Sequence, residues 1–178
     1  MKTLKNLFHA MAAVLLLALT ATVAVSCGDD DDDDPVAEKK VQKVQITVDA
    51  KPTADMLKYL DLAIVYEDSN GGSETKKIDT TEPKFTFDVT KFPATASVKY
   101  TMKQKSGVEL PTEGSISVSP GFSCTVTKYF SDGTSTLLQY AGSSSSLSGP
   151  VDKFASWIEK HSENKNSFEF DSNGDLKK

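Results

Sequence analysis

The chain contains no arginine: all 20 basic residues are lysines, set against 25 acids and two histidines for a formal net charge of −5. Forked contacts to phosphate or guanine call on the planar guanidinium, and no basic stripe compensates, so a nucleic-acid partner is disfavoured. Histidine is nearly as scarce. His9 falls in an apolar leader, leaving His161 alone for acid–base work near neutral pH, at an expected helix end among Glu159, Lys160, Ser162 and Glu163. The run Ser143 to Ser146 lacks a Gly-x-Ser-x-Gly elbow, and neither a His-Glu-x-x-His helix nor a glycine-rich phosphate loop is present. These absences argue against an enzyme and imply no cofactor. A carboxylate pair across a cleft would still suffice for glycoside hydrolysis, so a small carboxylate-dependent hydrolase stands as an alternative.

What the chain does have is order at its start. Lys2 and Lys5 precede an apolar stretch from Ala10 to Val25, sixteen residues that include Thr20 and Thr22. A spanning helix needs about 20 apolar residues, so a cleaved leader fits better than a membrane anchor. Small residues then lead to Cys27, followed by Gly28 and an unbroken acidic run, Asp29, Asp30, Asp31, Asp32, Asp33 and Asp34. By charge alone that run is a solvated spacer, because like charges repel and nothing apolar is there to bury. From Cys27 to Val41 the tether reaches at most about 50 Å.

Ala24-Val25-Ser26-Cys27 resembles the lipobox of bacterial lipoproteins, with Ala24 where that family usually carries leucine. The resemblance implies a thioether from Cys27 to diacylglycerol and acylation of the new α-amino group. Two or three acyl chains, at about 0.8 kcal/mol per buried methylene, hold a protein to lipid almost irreversibly. Cys27 followed by the acidic run is also similar to Bacteroidota-type surface lipoproteins, in which such a run acts as an export signal. The implied location is the outer membrane, lipid-anchored and exposed at the cell surface.

Removing the leader takes Lys2 and Lys5 with it, leaving 18 lysines against 25 acids and a net charge of −7. Six of those acids are the aspartate run, so residues 35–178 carry 18 against 19 and are nearly neutral. With Cys27 assigned to lipid, Cys124 has no partner for an internal disulfide. It lies on the apolar side of an alternating strand, which marks a buried, inert thiol.

Past the tether the hydrophobic pattern turns to period two, the signature of half-buried strands. Val44, Ile46 and Val48 alternate with polar neighbours; Leu60, Leu62, Ile64 and Tyr66 follow, ending in an Asn70-Gly71 hairpin turn. Glu74 to Asp79 predicts another strand. Phe85, Phe87 and Val89 make the next, then Ala96, Val98, Tyr100 and Met102, and then Ile116 and Val118. Phe122 to Phe130 turns at Asp132-Gly133 into Thr134 to Tyr140. The expectation is all-β: an antiparallel, immunoglobulin-like sandwich of about seven to eight strands, with a short C-terminal helix and a terminal hairpin.

The implied organisation is a signal peptide over 1–26, lipidated cysteine and tether over 27–40, and the sandwich over 41–140. A Ser/Gly-rich flexible link spans 141–149, and a helix-and-hairpin appendage 150–178. In that helix Val151, Phe154, Ala155 and Ile158 fall on one stripe with Trp157 at its edge. The tail alternates Asp171, Asn173 and Asp175 as a calcium loop does. Its glycine is Gly174 where such a loop wants one at the position of Leu176, so a turn is expected and no metal site.

A rigid sandwich presents loops and edges suited to holding partners, so the expected task is non-catalytic binding or adhesion toward a glycan or surface protein. A structural or self-associating envelope subunit is the first alternative. Tyr59, Tyr129 and Trp157 are the aromatic candidates for ligand contact, each with ordinary packing as its competing role. Asp79-Thr80-Thr81 resembles the short O-glycosylation site of the same bacterial group, which would modify Thr80; an Asp/Thr turn reads equally well.

Overall fold

In the computed structural model, which describes residues 39–143 and 145–177, the alternating segments form ten strands. The reason is visible in β1 (Val41–Asp49), where Val44, Ile46 and Val48 are fully buried while Gln45 and Thr47 between them are only half-buried. Successive side chains of a strand point to opposite faces, so one face joins a core and the other meets water.

The remaining strands are β2 (Leu60–Asp68), β3 (Ser73–Ile78), β4 (Lys84–Val89), β5 (Ala94–Gln104), β6 (Ser115–Val118), β7 (Phe122–Phe130), β8 (Ser135–Ser143), β9 (Leu147–Pro150) and β10 (Glu163–Phe170). They assemble into two four-stranded sheets, β4-β1-β7-β8 and β10-β5-β2-β3, and a small β6-β9 pair. Every pairing is antiparallel. At the β7–β8 hairpin Gly133 has φ of 82°, a value that side chains with a Cβ resist, which is why the Asp132-Gly133 step turns there. Asp132 braces the same turn by accepting from the backbone N–H of Thr134 at 2.9 Å.

The large sheets pack face to face, as the expected sandwich requires. Tyr66 of β2 stacks on Phe87 of β4 with ring centroids 4.8 Å apart, and Tyr100 of β5 meets Phe122 of β7 at 5.7 Å. One continuous core results, running from Val44 through Phe170. The spatial order also bears on the immunoglobulin comparison. β1 to β5 and β10 occupy the B, C, C′, E, F and G positions of a variable-type domain, while β7, arriving late in the chain, fills the place of a first strand.

Three expectations about organisation need correction. The expected flexible link over 141–149 holds strand at both its ends: β8 continues through Ser143, and β9 pairs with β6, setting Ile116 against Gly149 and Val118 against Leu147. Backbone ladder bonds need no apolar side chains, so a Ser/Gly composition does not forbid a strand beside a ready partner. Nor are residues 150–178 an appendage. β10 pairs with β5 along its whole length, Phe168 and Phe170 are buried, and Glu38–Lys178 forms one compact unit around that core.

The helical stripe is the third. A 3₁₀ turn (Val151–Lys153) leads into helix α2 (Phe154–His161), and the buried residues are Val151, Phe154 and Trp157, three apart, with Ala155 exposed. A 3₁₀ start eclipses positions i and i+3, which swings Trp157 inward and Ala155 out. The tail turn stands as expected: the Asp171 carboxylate accepts from the N–H groups of Asn173 at 2.8 Å and Asp175 at 3.0 Å, and Phe170 bridges to Leu176.

A short helix, α1 (Ala54–Tyr59), has no counterpart in the sequence reading. Thr53 caps it by accepting from the N–H of Met56, and the Thr53 hydroxyl donates to Ser117 O at 2.7 Å. The Asp55 carboxylate takes the N–H of Ser117 at 2.9 Å, so α1 fastens β6 through polar groups.

Candidate functional site

Two of the three aromatic candidates are part of the core. Tyr59 is buried and meets Phe154 edge to face at 6.3 Å, and Trp157 is buried with His161 stacked on it at 4.8 Å. Each keeps less than a tenth of its surface exposed, so packing is the role the fold gives it. The third, Tyr129, lies half-buried on the outer face of the β4-β1-β7-β8 sheet, with Lys43 Nζ 5.4 Å from its ring centroid. Thr80 is exposed in the β3–β4 loop, whereas Cys27 and Asp29 to Asp34 lie outside the described residues.

Among the described residues the most exposed aromatic is Tyr140, at 67 % exposure, accompanied by Leu137 at 62 %. Both belong to β8, at one side of that same outer face. Strand register lays the face out in rows. Thr86, Thr47, Thr125 and Tyr140 stand side by side across β4, β1, β7 and β8, and the next row is Asp88, Gln45, Thr127 and Leu137. On the other side of the threonine row come Lys84, Asp49, Ser123 and Gly142. The face is thus chiefly hydroxyl, with one amide and charges of both signs in the flanking rows, and carries two aromatics, the half-buried Tyr129 and the exposed Tyr140 at its margin.

Tyr140 does not stand upright on the sheet. Residues i and i+2 of a strand are about 6.8 Å apart, so an upright ring would keep its distance from position 142. Instead a Cβ built on Gly142 would lie 3.4 Å from both Cε1 and the hydroxyl oxygen of Tyr140. The ring therefore leans along β8 over Gly142, and it lines one groove together with Ser123. A Cβ at Gly142 would already touch the ring, so a branched side chain there would press against it.

Beside the ring opens a groove of about 520 Å³ lined by Asp49, Lys51, Gly121, Phe122, Ser123, Tyr140 and Gly142. Gly121 holds its far wall in place: its φ is +51° and an added Cβ would come within 2.8 Å of Lys51 Cβ, an approach that only glycine allows. Lys51 is pinned there as its N–H donates to Pro120 O at 3.0 Å. Asp49 and Lys51 are the groove's only ionic groups and are of opposite sign, so the lining is formally neutral.

No protein-family model, curated protein or solved structure matches this chain. The arrangement must be judged on its chemistry. An exposed ring face beside hydroxyl groups and one ionic group of each sign suits a ligand with an apolar patch and a polar rim. Only one carboxylate, Asp49, lines the groove, and among the described residues no three His, Cys, Asp or Glu side chains gather as metal ligands.

Cys124 behaves as its strand position suggests. It is fully buried; burial pushes its thiol up to about 11, against a smaller opposing effect of the Asn166 amide 3.6 Å from its sulfur. A neutral thiol at that depth is a core packing group.

Tyr140 went unrecognised in the sequence because it closes an alternating strand much as core tyrosines do. Its exposure depends on β8 being the last strand of its sheet. The weak local signal was Gly142 two residues on, a strand position with no side chain to pack.

Proposed function

We propose that this chain is a membrane-anchored, cell-surface lipoprotein whose sandwich binds a glycan without turning it over. The anchor rests on the leader, Cys27 and the acidic run. The ligand class rests on one observation above all, the Tyr140 ring laid over Gly142 at the margin of a neutral, hydroxyl-rich face. A pyranose offers a patch of C–H groups on one side and hydroxyls around its rim. Tyr140 matches the first, while Ser123, Thr125 and the groove ionic groups match the second. Hydrolysis of a glycoside calls for two carboxylates across the bond, and the groove supplies Asp49 alone.

The test is retention of residues 38–178 on a glycan array, followed by calorimetric titration of any glycan retained. Tyr140→Ala should weaken binding about tenfold, the value of one lost stacking contact. Gly142→Val should do the same with the tyrosine still present, by displacing the ring. Failure to retain any glycan, or equal binding by both variants, overturns the assignment. For the anchor, Cys27→Ser should abolish fatty-acid incorporation and shift the protein to the soluble fraction; a variant that stays membrane-bound refutes lipidation. Replacing Asp29 to Asp34 by serine should leave the lipid but reduce access to external protease.

A further inference from the structure

Four strands end the two large sheets, and three of them carry charge. β3 has Glu74, Lys76 and Lys77, β4 has Lys84 and Asp88, and β10 has Glu163, Lys165 and Glu169. Charged side chains discourage strand addition, because pairing would strip them of water. β8 has none. The sequence is uncharged from Thr134 to Val151, and the two large hydrophobic residues most exposed to water among those described, Leu137 and Tyr140, both project from this edge.

Their placement is unusual for a strand. Positions three apart ordinarily point to opposite faces. Here the pairing with β7 shifts between Val126 and Thr127, so Leu137 lies opposite Thr127 and Tyr140 opposite Thr125. The extra residue of this bulge brings both side chains to the outer face.

From this we infer that β8 pairs antiparallel with β8 of a second copy of the chain, across a twofold axis between Leu138 and Gln139. In that register Leu137 of each copy lies opposite Tyr140 of the other, and the aliphatic–aromatic cross-strand pair forms twice. The same two residues separate Leu137 from Tyr140 in both strands, so the two bulges meet at the axis and the flanking ladders stay in step. A patch complementary to itself is what a twofold interface requires. A foreign strand, by contrast, would find no charge on β8 to select it. The product is a continuous eight-stranded sheet carrying two Tyr140 rings on one face, and it forms whether or not the ligand is a glycan.

Sedimentation velocity on residues 38–178 tests the pairing over about a hundredfold range of concentration, wide enough to show a tenfold change in affinity. The unmodified protein should pass from monomer to dimer. A chain with Leu137→Glu and Tyr140→Glu, and another with Leu137→Lys and Tyr140→Lys, should each dimerise at least about tenfold more weakly, through like charges set opposite one another. Mixed together they should form a heterodimer. Circular dichroism like that of the unmodified protein would show that both still fold. A monomer at every concentration, a dimer that survives in both charged variants, or a mixture that fails to associate would overturn the inference.

Discussion

Replacing Phe154 by alanine removes a fully buried ring that meets Tyr59 edge to face and fills the space between α2 and the sheets. Truncating a buried phenylalanine costs about 3–5 kcal/mol, from lost transfer free energy and the cavity left behind. For a unit the size of Glu38–Lys178 that corresponds to a fall in Tm of about 10–17 °C. Trp157 is the sole tryptophan and is buried beside the site, so its fluorescence in a urea titration reports directly on the transition. Ala155→Gln, at an exposed position of the same helix, should move stability by less than about 0.5 kcal/mol. A loss of under about 1 kcal/mol for Phe154→Ala, with an unchanged denaturant slope, would mean that α2 is an attachment and that its place in the core is wrong.

Three further outcomes follow from the buried thiol and the turn carboxylates. Cys124 should resist alkylating reagents at pH 8 in the native protein and react at once in urea, as mass spectrometry would show; rapid native labelling would contradict its burial. Because burial raises its folded pKa to about 11, it contributes stability that is complete below its ordinary value near 9 and fades as pH climbs between the two, a loss that Cys124→Val should reduce. Asp132 is held below the carboxylate range first by Lys39, whose ammonium lies 2.8 Å away, and then by the hydroxyl and N–H of Thr134. Asp171 is lowered by the N–H groups of Asp175 and Asn173. Depressed values mean that both groups stabilise the fold above the ordinary aspartate range and that this is lost as pH falls through and below it. Chemical denaturation at a series of acidic pH values should therefore show a shallower acid limb when both are changed to asparagine, and an unaltered limb would refute their role.

The segments with clean alternation were legible in advance, β7 over Phe122–Phe130 among them, because period two is a local consequence of strand geometry and needs no knowledge of partners. Asn70-Gly71 and Asp132-Gly133 were legible as turns for an equally local reason. Helix α1 was not, since six residues barely complete a periodic stripe and its hold on β6 is polar and distant in sequence. β9 was hidden because its stability comes from a ladder with β6, some thirty residues away in the chain.

The candidate surface divides along the same line. The sequence by itself determined an all-strand body and a buried Cys124, each written in a contiguous stretch. Only the tertiary structure decided that Tyr59 and Trp157 face inward while Tyr140 faces water, that its ring leans over Gly142, and that β8 ends a sheet as an uncharged edge. Exposure is set by what packs against a residue, and those neighbours are brought together by folding over long separations that no local pattern records.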